Sequence, residues 1–313
     1  MTEEVKQYDV IIIGAGPAGM TAATYASRAE LRAVMIDQGI YGGQMNNTAE
    51  VENYPGYNSI MGPDLAEKMY ASSTQFGAEY TFGMITGVEL LDNQEKLVHT
   101  DMGDFQAPAL IIATGSEHVH LGVDGEEEYQ GKGVSYCAVC DGAFFKGEGV
   151  AVVGGGDSAV EEGLYLADVV KDVTVYVRGD KLKAQPILQQ RAFAKDNVTF
   201  VWNTEVTAIQ GDGEAVQKLA LHNNQTGEDS VVEKSGIFIY VGLKPNTQVF
   251  TNLGITDDQG WIKTDEKMAT AVPGIFAAGD VRVKDLRQIT TAVGDGGLAG
   301  QEAYQFVSTL KAK

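Results

Sequence analysis

At 313 residues and 33.4 kDa the chain exceeds the length one hydrophobic core usually serves, so two domains are expected. Its 44% hydrophobic and 21% charged content is that of a soluble globular protein, and 38 glycines against 7 prolines imply many tight turns rather than disorder. The balance of 23 Lys+Arg against 43 Asp+Glu leaves −20, a field that argues against nucleic acid and anionic membranes and requires any bound phosphate to be held by local devices such as helix N-termini.

The N-terminal MTEEVKQYDV has neither the basic region nor the apolar run of an export signal, so a cytoplasmic setting that keeps thiols reduced is expected. The uncharged stretch Val10 to Ala26 is broken by glycines and Pro17 and is short for a bilayer span. Residues 8–37, YDVIIIGAGPAGMTAATYASRAELRAVMID, instead read as a strand, a glycine turn, an Ala-rich helix and a second strand ending in Asp37, which is one βαβ unit. In GAGPAG, Gly14 permits the tight turn, Gly16 lets the backbone approach a pyrophosphate, and Gly19 allows helix to pack on strand, with Pro17 and Ala18 at the helix start. Asp37, 18 residues after Gly19, is placed to accept hydrogen bonds from ribose hydroxyls. A dinucleotide site follows from this whole context, not from the glycines alone.

A later apolar strand closes this copy at LIIATG, 110–115, and the acidic run at 117–129 is a candidate hinge. Next comes GVSYCAVCDGAFF, 133–145, which holds the only two cysteines, Cys137 and Cys140. A lone CxxC can be a metal clip, a structural bridge or a redox pair. Zinc normally takes four ligands, and only His118 and His120 are spaced as a histidine pair, so the redox reading leads. Asp141 beside Cys140 raises a neighbouring thiol's pKa, which fits a proton shuttle, although a turn or N-cap role is open to it. Phe144 and Phe145 read either as core or as an apolar docking surface for a protein substrate.

The βαβ order then repeats in GVAVVGGGDSAVEEGLYLADVVKDVTVYVRGDK, 149–181, its glycine turn 140 residues after the first. Gly154, Gly156 and Ala159 fit GxGxxA, enclosing Asp157 and Ser158. The second strand ends near Arg178, with Lys181, Lys183 and Arg191 following; bases there accommodate a 2′-phosphate and favour NADPH over NADH, while Asp180 pulls the other way. The polar HNNQTGEDS, 222–230, reads as a hairpin turn, GIFIYVGL, 236–243, as the late strand of this copy, and GLKPNT, 242–247, as a second hinge. PGIFAAGD, 273–280, has no counterpart in copy two and returns to the first domain. The fold class is therefore α/β with two nucleotide-binding domains, the second inserted in the first.

Together GAGPAG, ENYPG (52–56), ATG (113–115), CAVCDGAFF, GGGDSA, GIFAAGD and RQITTAVGDG (287–296) resemble the low-molecular-weight, bacterial type of thioredoxin reductase, over essentially the whole chain, with CxxCD ahead of the second glycine loop as the most specific element. The larger alkyl-hydroperoxide-reductase flavoproteins share this core but carry an N-terminal redox extension, which is not expected here. The resemblance implies two Rossmann-like, three-layer ββα domains: an FAD domain over 1–117 and 248–313, and an NADPH domain over 118–247 that carries the CxxC. It implies that the flavin is held by the first glycine loop, by the Asp37–Gln44 segment with Gln38 and Gly43, by Asn53, by Ala113, Thr114 and Gly115, and by Gly279, Asp280, Arg287, Gln288 and Ile289. The nucleotide would be held by the second loop with Arg178 and Lys183. It further implies electron flow from NADPH to FAD, to the cysteine pair, to thioredoxin, with Cys140 against the flavin, Cys137 as attacking thiol, Asp141 as acid/base and Phe144 with Phe145 gripping thioredoxin, in a homodimer formed through the FAD domain. A CxxC in one domain and a flavin in the other also imply inter-domain rotation during turnover.

One departure stands out. The family's His-Arg-Arg and later Arg are replaced here by Val177, Arg178, Gly179 and Lys183, which removes part of the phosphate site and weakens the expected selectivity against NADH. The alternatives are the same fold fed by NADH, ferredoxin or flavodoxin, and a non-catalytic flavin module whose CxxC binds zinc.

Overall fold

The computed structural model describes residues 5–48, 50–92 and 94–312; the first four residues of the N-terminal segment read above lie outside it. In chain order the main elements are β1 (Val10–Ile13), α1 (Pro17–Arg28), β2 (Ala33–Asp37), α2 (Gly62–Thr74), β3 (Glu79–Phe82), β4 (Ile85–Leu90), β5 (Lys96–Thr100), β6 (Gly103–Ala107) and β7 (Ala109–Ile112). They continue with β8 (Val134–Ser135), α3 (Ala138–Asp141), β9 (Gly149–Val153), α4 (Asp157–Val169), β10 (Asp172–Tyr176), α5 (Pro186–Phe193), β11 (Val198–Val201), β12 (Thr204–Gly211), β13 (Val216–Asn223), β14 (Asp229–Glu233) and β15 (Gly236–Ile239). The last two are β16 (Ile275–Ala277) and α6 (Ile289–Lys311). Two units result: Met1–Glu117 with Lys244–Lys313, and the continuous His118–Leu243.

In unit one a parallel sheet runs in the order β16-β7-β1-β2-β3. Its central strands are unbroken apolar runs because both faces are covered. Val10 and Ile12 point to a core shared with α1, α2 and α6, whereas Ile11 and Ile13 point to one shared with Val88, Val98 and Phe105 of the antiparallel β4-β5-β6. Alternation along one strand thus builds three layers. The helix layer is tight: a Cβ at Gly296 would lie 2.2 Å from the Ala18 carbonyl oxygen, and one at Gly300 would lie 2.6 Å from that of Ala22.

Unit two repeats the plan with the parallel order β8-β15-β9-β10-β11. Val150 and Val152 face α4 and α5, and Ala151 and Val153 face the antiparallel β12-β13-β14. The polar 222–230 segment joins β13 to β14.

Lys96 in unit one is 2% exposed, yet its Nζ donates to the carbonyls of Gln94 at 2.8 Å and Pro108 at 2.7 Å and lies 5.0 Å from the Phe306 ring centre. Burial lowers its pKa from 10.5 to about 8, with Glu95 opposing. Between those values the unfolded chain binds the proton and the folded one does not, so this residue adds stability as pH rises from about 8 towards 10.5. Urea unfolding of the protein and of Lys96→Met should show the native lysine gaining on methionine across that window; a pH-independent difference would contradict it.

Candidate functional site

The CxxC sits where β8 ends and α3 begins. Cys137 and Cys140 are joined as a disulfide with Cα atoms 5.4 Å apart. Cys137 is the N-cap of α3, and the Cys140 amide donates to its Sγ at 3.1 Å, a contact that favours a thiolate at Cys137 once the bond is reduced. Cys137 is half-buried and Cys140 exposed.

Asp141 makes no capping bond with its side chain; its Oδ2 accepts from Ser135 Oγ at 2.7 Å, and Ser135 Oγ accepts from the Cys137 amide at 3.0 Å. Ser135 thereby ties the carboxylate to the backbone of Cys137. Behind the pair, the buried Tyr240 hydroxyl accepts from the Ala138 amide at 3.0 Å, and burial together with nearby Glu162 raises its pKa. Oε2 of Glu162 is buried with no hydrogen-bond partner among the described residues, and burial pushes this carboxyl up to about 8, Glu161 adding to the effect. The two phenylalanines separate: Phe144 is 82% exposed, while the half-buried Phe145 ring lies 5.6 Å from that of Phe238 in the core.

Unit one gathers the residues expected around a dinucleotide. Gly14 has φ of 103°, and a Cβ there would lie 2.3 Å from the Ala113 carbonyl oxygen, so only glycine fits. Gly16 caps α1, Pro17 opens it, and the space where a Gly16 side chain would stand is empty. The helix amides therefore face open room suited to a phosphate. A Cβ on Gly19 would lie 1.9 Å from the Gly14 carbonyl oxygen. Asp37 accepts from the Ala15 amide at 2.6 Å and the Gly39 amide at 2.9 Å, so it braces the loop as well as bordering it, with Gln38 exposed beside it.

Other segments close on this loop. The Gly42 amide donates to Ala15 O at 2.8 Å, bringing up the turn Gly43–Asn47, and Gln44 Nε2 donates to Ser116 O at 3.4 Å. Thr114 is tied to Asn246 by two bonds, Thr114 Oγ1 to Asn246 O at 2.7 Å and Asn246 Nδ2 to Thr114 O at 3.1 Å, and the Asn246 amide reaches Gly115 O at 3.1 Å. Asn53 Nδ2 donates to Gln288 Oε1 at 2.9 Å, and Gln288 caps α6, which Ile289 opens. The Gly279 amide donates to Asp295 Oδ2 at 3.1 Å. Arg287 lies 3.8 Å over the Trp261 ring and donates to the carbonyl of Asp280 at 3.4 Å.

Asp280 carries the clearest sign of a missing donor. Its Oδ1 is buried and has no hydrogen-bond partner among the described residues, and burial raises the carboxyl's pKa against the pull of Lys284 and Arg287. A polyhydroxylated chain leaving the glycine loop would supply a donor there. The residues of unit one thus fit a dinucleotide with such a chain.

In unit two Gly154 has φ of 143°, with a Cβ position 2.3 Å from Tyr240 O and 2.9 Å from the Ala159 side chain. Gly156 caps α4 with open space beside it, and Ser158 is exposed. Asp157 is turned to structure, accepting from Gln185 N at 2.7 Å and Gln185 Nε2 at 2.8 Å. Lys183 N donates to Gly155 O at 2.7 Å, which ties its turn to the glycine loop. Val177 is buried, and Arg178 and the Lys183 side chain are exposed.

Ser135, Glu162 and Tyr240 belong to no motif in the sequence, and Asn246 carries only the local signal of the GLKPNT turn, which reads as a hinge.

Residues 8–296 match the family of pyridine nucleotide-disulphide oxidoreductases. The chain is 60% identical to a thioredoxin reductase of Listeria monocytogenes, over 99% of this chain and 97% of that one. It is 54% identical to a thioredoxin reductase of Bacillus subtilis, over 99% and 98% respectively. The crystal structure of Lactococcus lactis thioredoxin reductase superposes with a TM-score of 0.95 at 53% identity, covering 96% of this chain and 99% of that one. With a CxxC disulfide and two glycine-loop nucleotide folds, the chain belongs to the pyridine nucleotide-disulphide oxidoreductases, as one of the thioredoxin reductases.

Proposed function

We propose that the protein reduces oxidised thioredoxin with electrons from NADPH, through FAD in unit one and the Cys137–Cys140 disulfide of unit two. The observation that carries this reading is the disulfide with the Cys140 amide on one sulfur and the Ser135-braced Asp141 beside it. When bound, FAD accepts a hydride from NADPH and passes two electrons to a disulfide.

The chain supplies the rest. Gly14 and Gly19 let the loop turn and pack tightly, Gly16 leaves open space at the start of α1 where the flavin pyrophosphate would be held, and Asp280 would accept a hydrogen bond from a hydroxyl of the chain beyond it. Gln44, Asn53, Thr114, Arg287 and Gln288 would help hold the same cofactor. Gly154 and Gly156 make the matching loop that would hold NADPH, and Arg178 and Lys183 would take its 2′-phosphate.

Reduction of the disulfide takes up two electrons and two protons. Asp141 holds one proton for exchange with a cysteine Sγ. The Cys137 thiolate, stabilised by the Cys140 amide, attacks a thioredoxin sulfur; the Cys137–sulfur bond forms and the thioredoxin disulfide breaks. Cys140 then displaces the mixed disulfide, which restores Cys137–Cys140 and releases thioredoxin as its dithiol. Phe144 offers an apolar contact for thioredoxin, held out by the anchored Phe145.

The reading includes a homodimer through unit one and a cytoplasmic setting; no helix among the described residues is long and apolar enough to cross a membrane. A coupled assay tests it: NADPH should bleach the flavin and drive reduction of a disulfide reporter that rises steeply on adding thioredoxin. A flavin that NADPH leaves oxidised would overturn it.

A further inference from the structure

A nucleotide-binding βαβ unit distinguishes a 2′-hydroxyl from a 2′-phosphate by the charge standing where its second strand ends: an acid favours the hydroxyl, a base accepts the phosphate. In unit two that strand is β10, and the exposed position just beyond it is Arg178, whose side chain is 83% exposed. Along the sequence the position itself carries a base, with Asp180 two residues on.

Folding brings an acid to it. The segment opening β12 is bonded across the end of β10: the Asn203 amide donates to Gly179 O at 2.9 Å and the Thr204 amide to Val177 O at 3.0 Å. Asn224 locks the same corner, its amide donating to Asn203 O at 2.7 Å and its Nδ2 to Arg178 O at 3.4 Å. This backbone register sets residue 205 beside residue 178, and Glu205 Oε1 lies 3.8 Å from Arg178 Nε. The acid absent from the second strand is delivered by another strand.

We infer that Glu205 is a nucleotide-selectivity residue that competes with a 2′-phosphate for Arg178. The inference rests on the NADPH site proposed above and deepens it. A nucleotide carrying the phosphate must draw Arg178 away from Glu205. One ending in a 2′-hydroxyl has no need of Arg178 and makes no such demand. Lys183, whose turn is pinned to Gly155, adds positive charge but no bidentate fork, so Arg178 is the group whose availability matters. Both partners are solvent-exposed, so releasing Arg178 is worth a modest factor, about two- to five-fold in affinity.

Calorimetric titration of the flavin-loaded protein with 2′,5′-ADP and with 5′-AMP separates the terms. Glu205→Gln should tighten 2′,5′-ADP by about three-fold and leave 5′-AMP unchanged, with the gain fading at high salt. In an Arg178→Gln background the same substitution should change neither ligand. Unchanged 2′,5′-ADP binding, equal tightening of both ligands, or a gain that persists without Arg178 would each overturn the role of Glu205. If Arg178→Gln itself leaves 2′,5′-ADP affinity untouched, the phosphate site has been placed wrongly, a failure distinct from the first three.

Discussion

Replacing either cysteine with serine, Cys137→Ser or Cys140→Ser, is expected to lower thioredoxin reduction by about a thousand-fold or more while NADPH still bleaches the flavin. Disulfide exchange needs both sulfurs, one to form the mixed disulfide and one to resolve it, and an oxygen can do neither. Serine nearly matches cysteine in size, and a serine oxygen in place of the Cys137 sulfur can still accept the Cys140 amide that now reaches Sγ at 3.1 Å, so α3 should keep its start. The residues assigned to flavin and nucleotide are untouched. Stopped-flow absorbance of the flavin and a thioredoxin-coupled assay on the same preparations give the two rates; thioredoxin turnover within ten-fold of the parent in either variant would remove the dithiol from the pathway.

The second large effect is on stability. Asp295, buried on α6, accepts from Arg282 Nη1 at 2.8 Å, Lys284 Nζ at 2.8 Å and the Gly279 amide at 3.1 Å. The cationic side chains are only 14% and 10% exposed. Asp295→Ala strands both charges and an amide with little water to replace the carboxylate, at a cost of about 3–5 kcal/mol. That is a large share of the ~5–15 kcal/mol by which a typical domain is stable. Because Gly279 precedes Asp280, flavin retention should fall as well. Denaturant unfolding and the flavin-to-protein ratio after gel filtration check both; a loss below about 1 kcal/mol would mean that water reaches the cluster and the pairs behave as surface ones.

What the sequence made legible was chemistry encoded by local spacing. The glycines of the two loops, the strand-end Asp37 and the CxxC each lie within one supersecondary unit, so their geometry follows from chain order. The repeat was readable for the same reason, whereas the three-layer plan of each unit was implied by the family resemblance, and the sheets of both units follow it. Ser135, Tyr240 and Glu162 carried no such signal. Tyr240 reaches the Ala138 amide only because β15 and α3 meet in the folded unit, and within VEEG nothing distinguishes the half-buried Glu162 from the exposed Glu161. The adjacent Phe144 and Phe145 looked alike until the turn after α3 sent one ring outward and the other onto Phe238. Asp37 shows a subtler gap: the strand-end acid was readable, but its bond to the Ala15 amide was not, so part of its acceptor capacity is already used by its own loop.

The strand order of unit one has a consequence for how the protein is made. β1 is central in its sheet, yet β7 lacks its outer neighbour until β16, residues 275–277, has been synthesised, and α6 follows later still. At ~5–20 residues per second, on the order of 10–50 s separates the emergence of β1 from that of the last elements of its unit. During that interval the continuous 118–243 stretch can complete its own sheet, while β7 presents an open edge and α1 lacks the helix that packs against it. On the ribosome, the unit that begins the chain is the last to be finished.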